Sequence, residues 1–115
     1  MKLSKASRLR RRGEFVAVQQ KGRRLCAGQL VVLALARGGD RPRIGITVSK
    51  KIASAVGRNR VKRWVREAFR AVAGDLPPVD VVVVARAGAD RVGLAGARAA
   101  LETARARLAG GGAKA

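Results

Sequence analysis

The sequence predicts an α+β domain, a single compact unit with elements in the order α-β-β-β-α-β-α and a mixed sheet. Three observations carry that expectation. Short apolar-rich runs cluster between residues 23 and 49; a long amphipathic stretch follows from Ala55 to about Val72; and VDVVVVAR, residues 79–86, is apolar at nearly every position. The last pattern belongs to a strand buried on both faces, and so to a central or parallel one. With 115 residues, 48% of them apolar, the chain suits one domain with a modest core.

Each element has its own justification. Residues 1–12, MKLSKASRLRRR, carry six basic side chains and no acid, which reads as a mobile basic arm that orders on a ligand. Glu14 to Gln20 has a short helical pattern: Phe15 and Val18 lie three apart, an acid sits in the first turn, and Gly22 stands where a C′ glycine would. RRLCA, QLVVLALAR and RIGITVS then read as strands, with Gly38, Gly39, Asp40 and Pro42 supplying turn chemistry for a hairpin within a β-meander. In the third strand Ile44, Ile46 and Val48 share a core face, while Arg43, Gly45, Thr47 and Ser49 share a small, polar one that suits a floor open to a ligand.

Ser54 is placed to N-cap the long helix, which GDLPP ends with a C′-type glycine and two prolines. Residues 93–108 form a further amphipathic helix with Leu94, Ala97, Leu101, Ala104 and Leu108 as its stripe. The expected boundaries are therefore an arm over 1–12, a domain over 13–108 and a disordered tail over 109–115.

Charge narrows the function. Lys plus Arg number 26 against 7 Asp plus Glu, a formal net charge of +19. Such a surface repels itself unless a polyanion neutralises it, so the expected partner is nucleic acid. Residues 1–70 hold 20 basic and 3 acidic side chains, whereas residues 71–115 hold 6 and 4. A bias in genome base composition would spread arginine evenly; this distribution assigns the binding surface to the first part of the chain. Cys26 is the one cysteine, read as a small buried hydrophobe in a reducing compartment. No secretory h-region precedes the fold, and the longest apolar run, Leu30 to Ala36, is far short of a bilayer span, so a soluble cytoplasmic protein without a membrane partner is expected.

The long helix concentrates the charge. With Val65 at zero on a helical wheel, Val61, Ala68, Phe69 and Val72 fall within about 60° of it and Trp64 at the edge. Asn59, Arg60, Arg63, Arg66 and Arg70 take the opposite side and Lys62 the margin; Arg58 points toward the core azimuth, where it could curl round the first turn. A solvated helix face mixes signs, because Glu–Lys pairs add about 0.3 to 0.5 kcal/mol each. Here Glu67 is the one acid between Ala55 and Arg70. Arginine also suits phosphate and stacked bases through its planar fork.

GRNRVKRWVREAFR, preceded by RIGITVSKK and followed by DVVVVARAG, closely resembles the protein subunit of bacterial ribonuclease P, whose hallmark Arg-Asn-Arg motif is matched by Arg58, Asn59 and Arg60. The resemblance covers residues 7 to 108 in matching order, including GEFVAVQQKG. It implies a ribosomal-protein-like α-β-β-β-α-β-α domain whose crossover between the third and fourth strands is left-handed, against the usual rule. It further implies binding of the catalytic RNA by Arg58, Asn59, Arg60, Lys62, Arg63 and Arg66. The single-stranded 5′ leader of precursor tRNA would lie in a cleft between the first helix and the sheet, lined or flanked by Phe15, Ser49, Lys50 and Lys51.

One position departs from the resemblance. Many members carry a second aromatic four residues after the phenylalanine matched by Phe15, and Gln19 stands there in this chain. Base stacking, about 1 to 3 kcal/mol per base, then falls to Phe15 alone, which either stacks or packs in the core. Hydrolysis by the chain itself is not expected: it has no histidine, and its seven acids are scattered with no metal-ligand spacing. The resemblance agrees. It implies an endoribonuclease in which the RNA subunit removes the leader with bound Mg2+, the protein holding no catalytic residue, metal or cofactor and needing no obligate protein partner. A ribosomal or generic RNA-binding protein is the alternative that the basic helix alone would allow.

Overall fold

The structure is a computed structural model that describes residues 7–37 and 39–109. Along it run α1 (Arg12–Lys21), β1 (Arg23–Cys26), β2 (Leu30–Ala36), β3 (Arg43–Thr47), α2 (Ala55–Val72), β4 (Val79–Ala85) and α3 (Gly93–Ala109), with short 3-10 turns at Ala73–Asp75 and Ala89–Arg91. The element order is the expected one. The sheet, however, has the order β1-β2-β4-β3. β2 pairs antiparallel with β1 and with β4, and β3 pairs parallel with β4 from Arg43↔Asp80 to Thr47↔Val84.

This corrects the meander. The hairpin joins β1 to β2 through residues 27–29, whereas the Gly-Asp-Pro segment after β2 carries the chain past β4 to the far edge. The reason lies in β4. All its residues but Val84 are buried, so it needs a neighbour on each side and a layer on each face; a meander would leave it at an edge.

Side-chain alternation builds two cores. Leu30, Val32 and Ala34 of β2, Ile44 of β3 and Val79, Val81, Val83 and Ala85 of β4 meet the apolar stripes of α2 and α3. On the opposite face, Val82 packs with Leu9 and Val18, and Phe15, Leu33, Leu35 and Val84 close round them. The sheet is thus sandwiched, with α2 and α3 on one side and α1 on the other.

The α2 stripe is the predicted one: Val61, Val65, Ala68, Phe69 and Val72 are buried, and Trp64 is half-buried against the core. Ser54 Oγ accepts from Gly57 N at 3.2 Å, the expected N-cap. On α3, Ala97, Leu101, Ala104 and Leu108 are buried together with Ala100, while Leu94 is half-buried. Cys26 is half-buried at the core's edge rather than enclosed.

Two expectations about glycine are corrected. Among the described residues only Gly88 and Gly93 have positive φ, so neither Gly22 nor Gly74 is a left-handed cap. Gly22 is extended, and it is required for space: a Cβ there would stand 2.3 Å from the Val18 carbonyl oxygen. The proposed arm also joins the fold earlier than residue 12. Arg8 bridges to Ile44, Leu9 N donates to the Ile44 carbonyl at 2.9 Å, and Leu9 is buried, because its apolar side chain closes the second core. Residues 1–6 and 110–115, the rest of the arm and most of the tail, lie outside the described residues. No described helix is long and apolar enough to cross a membrane.

Candidate nucleic-acid interface

α2 presents its cations in two directions. Asn59, Arg60 and Arg63 are exposed on the outer side of the helix. Lys62 and Arg66 are half-buried and turn instead toward α1 and the docked N-terminal segment. Arg60, Lys62, Arg63 and Arg66 enter none of the ion pairs among the described residues, which join Arg37 and Arg43 to Asp80, Arg43 to Glu14, Arg41 to Asp40 and Arg105 to Glu102. Arg58 folds back as its azimuth suggests, one terminal nitrogen donating to the Ala53 carbonyl at 3.0 Å. It thereby ties the turn before α2 to the helix.

Lys62 and Arg66 border a cavity of about 100 Å³ together with Arg8, Leu9, Phe15 and Gly45. Arg8 Nε is itself buried, with no hydrogen-bond partner among the described residues. Burial lowers the pKa of Arg66, and the neighbouring charge of Arg8 lowers it further. A buried donor without a partner costs about 1 to 3 kcal/mol, and like charges held close together in a half-buried setting repel. The cluster has the form of a site whose counter-charge comes from outside the chain.

A second, larger groove of about 490 Å³ opens between α1 and the end of β3, lined by Arg10, Arg12, Phe15, Gln19, Ile46 and Thr47. Phe15 is the wall common to both. Its floor is Gly45, and on its inner side it packs against the cluster of Leu9, Val18 and Val82. The groove therefore combines an aromatic and aliphatic surface with two cations, an amide and a hydroxyl.

α1 is anchored by charge as well as by Val18. Glu14 accepts from Arg10 N and Arg11 N, each at 3.1 Å, and its other oxygen pairs with Arg43 at 2.8 Å. Backbone donation from Arg11, supported by Arg10 and Arg43, lowers the Glu14 pKa against the opposing effect of burial. Arg43 also grips both oxygens of the buried Asp80, at 2.9 and 2.8 Å, and Asp80 raises its pKa most. No group of three or more His, Cys, Asp or Glu side chains that could hold a metal gathers among the described residues.

The family model for ribonuclease P matches residues 3–109. The chain belongs to the ribonuclease P protein family. A ribonuclease P protein component from Shouchella clausii is 41% identical over 102 residues, covering 87% of this chain and 84% of that protein. One from Gluconacetobacter diazotrophicus is 45% identical over 87 residues, with 73% and 75% covered. In three dimensions the chain matches the Staphylococcus aureus RNase P protein with a TM-score of 0.78 at 32% identity, covering 91% of this chain and 96% of that one. The Thermotoga maritima RNase P protein matches with a TM-score of 0.75 at 37% identity, covering 87% and 96%. As a ribonuclease P protein component, the chain is a subunit of a tRNA-processing endoribonuclease that works with an RNA subunit.

Within this ribonuclease P protein the nominated residues are divided. Asn59, Arg60 and Arg63 lie together on the outer face of α2; Lys62 and Arg66 join Phe15 around the small cavity. Ser49, Lys50 and Lys51 are exposed in the turn after β3, closed by Ile52 N donating to the Ser49 carbonyl at 3.1 Å, and they line neither cavity. Sequence reading missed Arg8, Arg10 and Arg12 as groove residues. The alternation of β3 pointed to Thr47, but the three arginines fell within a segment read as an unstructured arm.

Proposed function

We propose that this ribonuclease P protein grips two RNAs with two differently built surfaces. The exposed face of α2, with Asn59, Arg60 and Arg63, meets the catalytic RNA, while Arg58 shapes the start of that helix. The cleft beside Phe15 takes the single-stranded 5′ leader of precursor tRNA. Lys62, Arg66 and Arg8 hold a leader phosphate in the small cavity, Arg10 and Arg12 follow the backbone, and Ser49, Lys50 and Lys51 flank the path.

The observation that carries this reading is the gathering of Arg8, Lys62 and the partly desolvated Arg66 round one phosphate-sized cavity beside Phe15, with Arg8 Nε buried and without a hydrogen-bond partner among the described residues. A merely solvated basic surface would leave these groups in water. The apolar wall next to it, formed by Phe15 and Ile46, fits the combination of stacking and backbone neutralisation used for single strands.

Chemistry falls to the RNA in this proposal. Glu14 and Asp80 are each engaged by arginine. Magnesium belongs to the RNA active site. The protein neutralises phosphates on ribozyme and leader, and so lowers the magnesium that the assembly demands. Cytoplasmic localisation goes with this role.

Reconstitution tests the proposal. Adding the chain to a ribonuclease P RNA in low magnesium should restore cleavage of precursor tRNA, with a greater gain for a long leader than for a leaderless substrate. Unchanged cleavage, or an equal gain for both substrates, would remove the leader-binding reading.

A further inference from the structure

The charge network under α1 has an uneconomical look for a protein so short of acids. Of 7 acidic side chains, two converge on the single guanidinium of Arg43, although 26 basic residues compete for them. Asp80 takes Nε and one terminal nitrogen in bidentate fashion, and Glu14 takes the other terminal nitrogen at 2.8 Å. Arg37 adds a further bond to Asp80 at 2.8 Å. With every nitrogen of its guanidinium directed at a carboxylate, Arg43 is turned away from any polyanion.

Stability alone does not account for the arrangement. Partly exposed ion pairs contribute little, and an apolar substitute often does as well as a buried one. Bidentate Arg–carboxylate bonds do supply direction. Asp80 sits on β4, the central strand, whereas Glu14 sits in the first turn of α1 and immediately precedes Phe15. Besides the ring of Phe15, α1 packs on the sheet through one fully buried side chain, Val18, so the charge bridge adds a third attachment to two apolar ones. Arg43, Gly45 and Thr47 alternate onto the same face of β3. The clamp, the floor beneath Phe15 and the groove wall therefore share one strand.

We propose that Arg43 is a positioning residue: by bridging Asp80 in the sheet to Glu14 on α1, it sets where Phe15 lies and how wide the leader groove is. This rests on the leader-groove reading above. Glu14 transmits the position through its second oxygen, which bonds Arg10 N and Arg11 N and so orients the segment whose Arg10 and Arg12 line the groove. Arg43 need not touch RNA to govern its binding.

The test uses the full chain with three substitutions. Arg43→Met severs both ion pairs and leaves Asp80 with Arg37. Arg43→Lys keeps charge without the fork, and Glu14→Gln keeps an oxygen for the helix start while removing the charge that Arg43 grips. Two quantities are read: the NMR shifts of the Gly45 backbone protons, which lie under the Phe15 ring, and the holoenzyme's affinity ratio for long-leader against leaderless precursor tRNA. Arg43→Met and Glu14→Gln should move the Gly45 resonances and reduce that ratio roughly three- to thirtyfold, with affinity for the catalytic RNA unchanged and Arg43→Lys intermediate. Folded variants with wild-type Gly45 shifts would overturn the positioning role, as would an equal loss of catalytic-RNA affinity. If Arg43→Met does not fold, Glu14→Gln decides. A wild-type protein with no leader-dependent gain would remove the leader reading, and the Gly45 shifts would still decide whether Arg43 sets α1.

Discussion

The ring of Phe15 lies across Gly45. A β-carbon built at Gly45 would stand 2.5 Å from Cε2 and 2.7 Å from Cζ of that ring, closer than real contacts allow. The glycine is there for space, since its φ is not in the left-handed region. Phe15 consequently packs on its inner side against the sheet and borders both cavities on its outer side, so packing and stacking are not exclusive.

Gly45→Ala should therefore act as an overpacking mutation. The ring and α1 must rise together, at a cost of about 1 to 3 kcal/mol. Chemical denaturation would measure it. A stability within ~0.5 kcal/mol of wild type would show that the ring finds another place.

Phe15 can be dissected by size. Phe15→Ala should lower both stability and leader affinity. Phe15→Leu should retain most of the packing while still losing base stacking, about 1 to 3 kcal/mol of leader affinity. Leader affinity unchanged in Phe15→Leu would leave Phe15 a core residue alone.

Arg66 is expected to trade stability for binding. Arg66→Met removes a half-buried cation repelled by Arg8, so the free protein should be no less stable in thermal melts, while leader affinity falls. If the cleft neutralises about four phosphates, the protein-dependent slope of log K against log salt is near −3, and losing one contact should make it shallower by about 0.7. An unaltered slope would take Arg66 out of the phosphate path.

Arg60 and Arg63 are exposed and make no ion pair among the described residues, so Arg60→Ala and Arg63→Ala should leave stability within about 0.5 kcal/mol of wild type. Binding to the catalytic RNA should weaken for each. Filter binding at fixed salt, paired with melting curves, separates this from misfolding.

The depressed pKa of Glu14 gives a pH prediction with a definite sign. A carboxyl more acidic in the folded state stabilises the fold above its ordinary value of 4.5, and loses that contribution as pH falls through its lower folded value. Wild type should accordingly lose stability relative to Glu14→Gln on acidification below about pH 4.5, with a constant gap above it. Parallel acid titrations of the two proteins would contradict the assignment.

Much of the fold was legible because it depends on local periodicity. The order of elements, the Ser54 cap, the buried stripe of α2 and the double-sided burial of β4 all follow from patterns within single segments. So did the outward cations Arg60 and Arg63, since a helix wheel separates its own faces. The motif around Arg58, Asn59 and Arg60 disclosed the family for the same reason, being one contiguous stretch.

What the chain pattern left open were relations between segments. Alternation in β3 pairs it equally well with β2 or β4; only the need to cover both faces and both edges of β4 inserts that strand between them. Lys62 and Arg66 look like the rest of a cationic face until Leu9 and Phe15 close over the second core and set them with Arg8 round one cavity. Arg43 reads as one more basic residue until the parallel register sets it opposite Asp80 and the packing of α1 brings Glu14 within 2.8 Å. Covalent spacing determines what a residue can present, but distant burial decides what it meets.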